Sequence, residues 1–212
     1  MVTILFDLDG TLIDSTKAIL SSFHDTFKSL NFKNVEDEKI LSLIGHPLDF
    51  MFLHMGVEEK RVEEFVSTYK SFYRQRSKAM TKWLPNAFEA IKEAHKFAKL
   101  GVVTTKTGRY SKELLEHMKA LKYFEVVIGR EDVIHPKPHP EPIIKALNFI
   151  NSLKDKSWMI GDTCLDIVSA NRAGIKSIAV KSGYADLKEL RNCSTHIKEC
   201  AFEAVKFIEK NI

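Results

Sequence analysis

Apolar residues along the chain fall into two rhythms. Short runs rich in Val and Ile, at 2 to 6 (VTILF), 100 to 104 (LGVVT), 125 to 128 (EVVI), 157 to 160 (SWMI) and 175 to 180 (IKSIAV), predict strands. Between and after them lie longer segments of helical period, near 86 to 98, 109 to 121, 140 to 152, 165 to 173 and 201 to 210. Strands alternating with helices in this way predict an α/β core, a Rossmann-like parallel sheet flanked by helices.

The alternation fails between the first strand and Trp83, where only helical patterns occur. Ser15 and Thr16 can cap a helix whose one face carries Ile19, Phe23, Phe27 and Leu30, and Val62, Phe65, Val66, Tyr69, Phe72 and Tyr73 stripe a longer one. Pro47 can open a short helix between them and Gly56 can close it. The aromatic stripe reads as the core of a helical bundle. Residues 15–81 are therefore expected to form a small all-helical cap domain, inserted into an α/β core made of 1–14 and 82–212.

Composition adds the class: with 212 residues, 44% hydrophobic and 28% charged, the chain is an ordinary globular protein. The net charge of +4 is spread among interleaved acids and bases, which argues against a nucleic-acid partner. One stretch, Lys70 to Lys82, holds five basic residues (Lys70, Arg74, Arg76, Lys78 and Lys82) and no acid, and reads as a solvated helix face. The N-terminal apolar run is only five residues long and is broken by acids, so neither a signal peptide nor a membrane span is expected. The three cysteines, Cys164, Cys193 and Cys200, are widely separated with no CxxC pair, which points to a reducing compartment and a cytoplasmic protein. Oligomeric state leaves no mark in the sequence.

The chemistry concentrates in FDLDGTLIDS at 6 to 15. Asp7 and Asp9 follow an apolar strand directly, and the carboxyl ends of strands are where open α/β sheets bind ligands. Alternation along an extended segment points both carboxylates toward that edge, with Leu8 opposite. Two ionised carboxylates so close repel each other unless a cation neutralises them or one holds a proton.

DLDGTL after an apolar strand resembles the first motif of the haloacid dehalogenase-like phosphatases, and three more segments fit in order. LGVVTTK supplies Thr104 where that family has a Ser or Thr at a strand end. HPKPHPEP at 135 to 142 places Lys137 in a form similar to the KPxP signature of the phosphoglycolate phosphatase-like branch. GDTCLD after a strand supplies Asp162 and Asp166. The resemblance spans nearly the whole chain and implies a Mg²⁺-dependent phosphatase acting on a small phosphorylated metabolite, with 2-phosphoglycolate as the named expectation.

Each residue type suits that chemistry. A carboxylate nucleophile, Asp7, can accept a phosphoryl group as an aspartyl-phosphate. Because substrate and nucleophile are both anionic, the site needs positive charge: Mg²⁺ held by Asp7, the backbone carbonyl of Asp9 and Asp162, and the ammonium of Lys137. The Thr104 hydroxyl and the Thr105 N–H can donate to phosphoryl oxygens. Asp9 can protonate the leaving alkoxide and then deprotonate water. Asp166, one helical turn beyond Asp162, is expected to hold Lys137 or a metal-bound water in place.

His135 and His139, among prolines, read as parts of a rigid loop that presents Lys137, and His46 as an exposed or satisfied histidine. Cys164, between aspartates, reads as packing. Asp9 also separates chemistries within the resemblance, since related dehalogenases and phosphonatases lack a carboxylate there. A β-phosphoglucomutase-like phosphomutase, a pyrophosphatase or a nucleotidase retains all four motifs, and a non-catalytic binding module is the reading from another class.

Overall fold

Aromatic packing organises Ser15–Lys82, one of two compact units into which the chain divides; the other is Met1–Asp14 with Trp83–Ile212. All residues, 1–212, are described by a computed structural model. In the first unit, helices α1 (Thr16–Ser29), α2 (Asp37–Leu41), α3 (Leu48–His54) and α4 (Val62–Met80) surround a cluster of rings. Phe23 lies 4.6 Å from Tyr69 and 5.0 Å from Phe52, and Phe52 lies 5.4 Å from Phe65, centroid to centroid. Ser22 and Thr26 are buried on the same helix, and each hydroxyl donates to the carbonyl four residues back, which satisfies it without a partner from another helix. The basic stretch is not uniformly free: Arg76 pairs with Asp25 at 2.6 Å and stacks over Phe72.

In the second unit, strands β1 (Val2–Phe6), β2 (Ile13–Asp14), β3 (Lys82–Trp83, shared with the boundary), β4 (Ala98–Val103), β5 (Val126–Ile128), β6 (Ser157–Gly161), β7 (Lys176–Val180) and β8 (Ile197–Lys198) alternate with helices. Those helices are α5 (Ala87–His95), α6 (Gly108–His117), α7 (Glu141–Ile150), α8 (Cys164–Ala173), α9 (Leu187–Cys193) and α10 (Ala201–Glu209). Six strands make one sheet in the order β5-β4-β1-β6-β7-β8, every pair parallel, while β2 pairs with β3. The α/β fold expected from the alternation is the one observed.

Period two sorts the apolar side chains between the sheet's faces. Ile4 and Phe6 join Leu100, Val102, Trp158 and Ile160 in one buried cluster with residues of α5 and α10. Leu5 and Met159 join the other, with residues of α7 and α8. Both faces of β1 are therefore dry, which is why it reads as a continuous apolar run. Removing a core ring such as Phe6 would cost about 3–5 kcal/mol.

The structure also corrects boundaries. The helix expected to reach 98 stops at His95, because Ala98 and Lys99 pair with Val2 and Thr3 and extend β4 backwards. Those expected to reach 121 and 152 stop at His117 and Ile150, where Lys119 (φ 60°) and Asn151 (φ 56°) enter the left-handed region. Strand β8 and helix α9, both short, had no periodic signal long enough to be seen. No helix is long and apolar enough to cross a membrane.

Candidate active site

The sheet order makes β1 the point at which the connections diverge, with β4 on one side and β6 on the other. Phe6 stands opposite both Val102 and Ile160, so the segments leaving these three strands emerge together. Such a switch point, at the carboxyl ends of parallel strands, is the usual ligand crevice of this architecture. Asp7 continues the ladder, its N–H donating to the Ile160 carbonyl at 2.9 Å, and Thr104 does likewise beside β5, donating to Ile128 at 3.0 Å.

Lys137 connects the parts. Its Nζ donates to Asp7 Oδ1 at 2.7 Å, to Asp166 Oδ1 at 2.5 Å and to the Val103 carbonyl at 3.0 Å, so its three protons all have acceptors. The loop that carries it is braced from several sides, and the Lys137–Pro138 peptide is cis. The Glu141 carboxylate accepts from the Ile134 and His135 N–H groups at 2.9 Å each, Ser169 Oγ donates to the His139 carbonyl at 2.7 Å, and Arg172 donates to the Pro138 carbonyl at 3.1 Å. His135 and His139 are exposed and lie against each other, with ring centroids 4.7 Å apart. His46 belongs to the helical unit, where its ring stacks on Phe50 at 4.1 Å.

Asp162 precedes the N-cap of α8 and Asp166 lies in its first turn, and both are fully buried. Asp166 closes a capping box: its Oδ2 accepts from the Thr163 N–H at 3.1 Å and hydroxyl at 2.8 Å. Asp162 accepts from the Thr11 hydroxyl at 3.0 Å and the Tyr184 N–H at 2.9 Å. Its cradle is built from glycines. A Cβ on Gly10 (φ 80°) would lie 2.3 Å from Asp162 Oδ2, and one on Gly183 would lie 1.9 Å from it, so backbone approaches where no side chain fits. Gly10 is visible within DLDGTL; Gly183, Tyr184 and Ser182, whose hydroxyl donates to the Gly10 carbonyl at 2.8 Å, had no motif to reveal them.

Burial dominates the electrostatics. It pushes Asp7 up to about 7 against the pull of Lys137, with Asp166 and Asp9 adding repulsion. It also drives Asp162 well above the usual carboxylate range, and repulsion from Asp7 and Asp166 adds to it. Burial alone would push Lys137 down, but Asp166 and Asp7 outweigh it and hold the ammonium above its ordinary value. Asp7 and Asp166 share the Lys137 ammonium, while Asp162 accepts from the neutral Thr11 and Tyr184 donors, so ionising all three buried carboxylates would leave two negative charges unbalanced. Carboxylate oxygens of these three lie within 4.8 Å of one another, so a hard divalent cation fits both the charge deficit and the oxygen donors. Both oxygens of Asp166 already serve Lys137 and Thr163, and both of Asp162 serve Thr11 and Tyr184, so a metal would have to share these carboxylates with their present donors.

Asp9 does not join this cluster. Its Oδ2 lies 3.0 Å from Lys106 Nζ, and both side chains are largely buried. Lys106 was not singled out from the sequence, although it directly follows the two threonines of VVTTK. Its backbone N–H donates to Thr104 Oγ1 at 3.2 Å, and half-buried Thr105 lies between them in sequence. Cys164 departs from the packing role expected of it: it is joined to Cys193 by a disulfide, across a separation of 29 residues that no spacing motif would expose.

These features have counterparts in known proteins. Residues 4–180 match the family described as haloacid dehalogenase-like hydrolase. A pyrophosphatase PpaX of Bacillus cereus is 36% identical over 179 residues, covering 84% of this chain and 82% of the relative. Among solved structures, a haloacid dehalogenase-like family hydrolase from Streptococcus pneumoniae superposes with a TM-score of 0.88 at 25% identity, covering 98% of both chains. A predicted phosphoglycolate phosphatase from Haemophilus somnus gives 0.86 at 20% identity, covering 98% of this chain and 97% of that one; at that identity it speaks to fold alone. With matching motifs at the ends of β1, β4 and β6, and a family match over most of its length, the chain belongs to the haloacid dehalogenase-like hydrolases.

Proposed function

We propose that the protein is a Mg²⁺-dependent phosphatase that cleaves a small phosphoryl compound through an aspartyl-phosphate on Asp7. The observation that carries this reading is the buried cluster of Asp7, Lys137, Asp162 and Asp166 at the switch point, with Asp9 two residues beyond the nucleophile. A carboxylate oxygen of Asp7 attacks phosphorus, forming the Asp7–phosphoryl bond as the bond to the leaving oxygen breaks. Asp9 supplies a proton to that oxygen. It then takes one from the water that attacks the aspartyl-phosphate, which frees Asp7 and releases phosphate. Lys137 offsets the meeting of anions, and the Thr104 hydroxyl and Thr105 N–H donate to phosphoryl oxygens. Bound between Asp7, the Asp9 carbonyl and Asp162, Mg²⁺ would supply the remaining positive charge. Asp166 orients Lys137.

Two substrates compete. 2-Phosphoglycolate follows from the KPxP-like segment, whereas the name of the relative at 36% identity favours inorganic pyrophosphate. We place pyrophosphate first, because solved structures bearing the phosphoglycolate name, such as those from Haemophilus somnus, Lactobacillus plantarum and Lactobacillus delbrueckii, are only 20%, 18% and 21% identical. The helical unit is assigned the part of a cap that selects substrate, as its position in the chain suggests.

Phosphate release should be ranked by kcat/KM over pyrophosphate, 2-phosphoglycolate, nucleoside monophosphates, β-glucose 1-phosphate and p-nitrophenyl phosphate, with Mg²⁺ and with EDTA. Mg²⁺-dependent turnover, lost in Asp7→Asn, is the expected result. A folded wild type inert toward every compound would overturn the reading, and production of glucose 6-phosphate from β-glucose 1-phosphate would replace it with the phosphomutase.

A further inference from the structure

We propose that Cys164 and Cys193 form a redox-responsive pair that sets how firmly the loop Lys181–Asp186 is held against Asp162. Cys164 is the first residue of α8, two positions after Asp162 and two before Asp166, and Cys193 is the last residue of α9. The loop between β7 and α9 makes the cradle described above: Ser182 donates to the Gly10 carbonyl at 2.8 Å, Gly183 packs against the Asp162 carboxylate, and the Tyr184 N–H donates to it at 2.9 Å. The disulfide therefore closes a ring that runs from Asp162 through Cys164 and Cys193, back along α9 and the loop, to the hydrogen bond on Asp162.

Without that bond the far side of the ring is lightly anchored. Helix α9 has seven residues, and of these only Leu190 is fully buried. The cluster it joins has just two other buried members, Ile167 and Ala179. A short helix with so few buried contacts belongs to the low-stability end of local opening, so a covalent tie at its end shifts the balance more here than it would in the main core. Both cysteines are half-buried, which leaves the pair within reach of small reagents.

The exchange balances simply. Two protein thiols and one small-molecule disulfide, such as oxidised glutathione, give the protein disulfide and two small thiols; the two electrons and two protons pass to the reagent. A small dithiol reverses this by attacking one sulfur, freeing the other as a thiol, and then closing its own ring.

Three readouts test the pair on the full-length protein. Alkylation and mass measurement should give one label on oxidised protein, at Cys200, and three after dithiothreitol. Amide hydrogen exchange across 182–193 should speed up by about tenfold on reduction, while β1 and β4 stay unchanged. Mn²⁺ titration followed by electron paramagnetic resonance should show several-fold weaker binding in the reduced protein. Cys193→Ser should match the reduced wild type under oxidising conditions; if it does not fold, the oxidised and reduced wild types give the same comparison. Three labels after oxidised glutathione, or equal exchange in both states, would overturn the proposal. Changed exchange with unchanged Mn²⁺ affinity would overturn the link to Asp162. The Mn²⁺ readout rests on Asp162 as a metal ligand, but labelling and exchange do not, so failure of the pair is distinguishable from failure of the proposed activity.

Discussion

Lys106 Nζ lies 3.0 Å from Asp9 Oδ2, with the two side chains only 11% and 13% exposed. The pair separates Asp9 from the Asp7–Lys137–Asp166 cluster next to it in the chain. A carboxylate that must deliver a proton, rather than bind a metal or Lys137, needs something else to hold it, and Lys106 is placed to do so. Replacing Lys106 by Met should lower kcat by about tenfold, a fraction of what general acid–base catalysis contributes. KM should change little, and Lys106→Arg should recover part of the rate. An equal rise in KM with unchanged kcat would instead place Lys106 in substrate binding.

Asp9→Asn should separate substrates by leaving group. An alkoxide needs a proton as its bond to phosphorus breaks, so alkyl esters such as 2-phosphoglycolate should lose roughly 10²–10⁴ in kcat. p-Nitrophenyl phosphate and pyrophosphate, whose leaving groups carry negative charge more readily, should lose distinctly less in the first step. A uniform loss in the rate of enzyme phosphorylation, measured in single turnovers, would contradict Asp9 as the acid.

The raised carboxylates give a pH dependence of definite sign. Folding lifts Asp7 from 3.8 to about 7, and Asp162 moves the same way, so between those values the metal-free folded protein binds more protons than the unfolded chain. The stability this contributes is complete below the unfolded pKa and is lost as pH rises through about 7. Mg²⁺ must displace those protons, so its stabilising effect should grow over the same window. Thermal melts in EDTA should show Tm falling from about pH 5 to pH 8, and the increment from added Mg²⁺ rising. A Mg²⁺ increment that is constant with pH would count against the protonated cluster.

Gly183→Ala should act at a distance from the nucleophile. The added methyl would meet Asp162 Oδ2, which accepts from the Tyr184 N–H while Oδ1 accepts from Thr11, so either the carboxylate or the loop must move. We expect a loss of about 1–3 kcal/mol in stability, typical of overpacking, together with weaker Mn²⁺ binding. Wild-type values for both would mean that the cradle yields without cost.

Much of the site was legible because its chemistry is local in sequence. Asp7 and Asp9 follow a strand within three residues and lead into Gly10, Thr104 directly follows a strand, and Asp162 and Asp166 are four residues apart. Lys137 could be singled out through its prolines. Lys106 was missed because a lysine after two threonines carries no pattern of its own, and Gly183 because its meaning lies wholly in what approaches it. The disulfide failed to appear for the same reason: two cysteines 29 residues apart signify nothing until α8 and α9 lie side by side.

The sequence by itself determined the local elements and the inventory of charges: five of the six strands of the main sheet, the helical insertion and the carboxylates with their lysine. Apolar period and turn residues act over a few positions, so they can be read from the chain alone. Only the tertiary structure decided that β1 lies between β4 and β6, which brings the end of the first strand against segments about a hundred and a hundred and fifty residues away in the chain. That order sets which charges meet. Asp7 and Asp166 share Lys137, Asp9 takes Lys106 instead, and Asp162 is enclosed by a loop near the far end of the chain, because burial makes each charge depend on the partner that folding brings within reach.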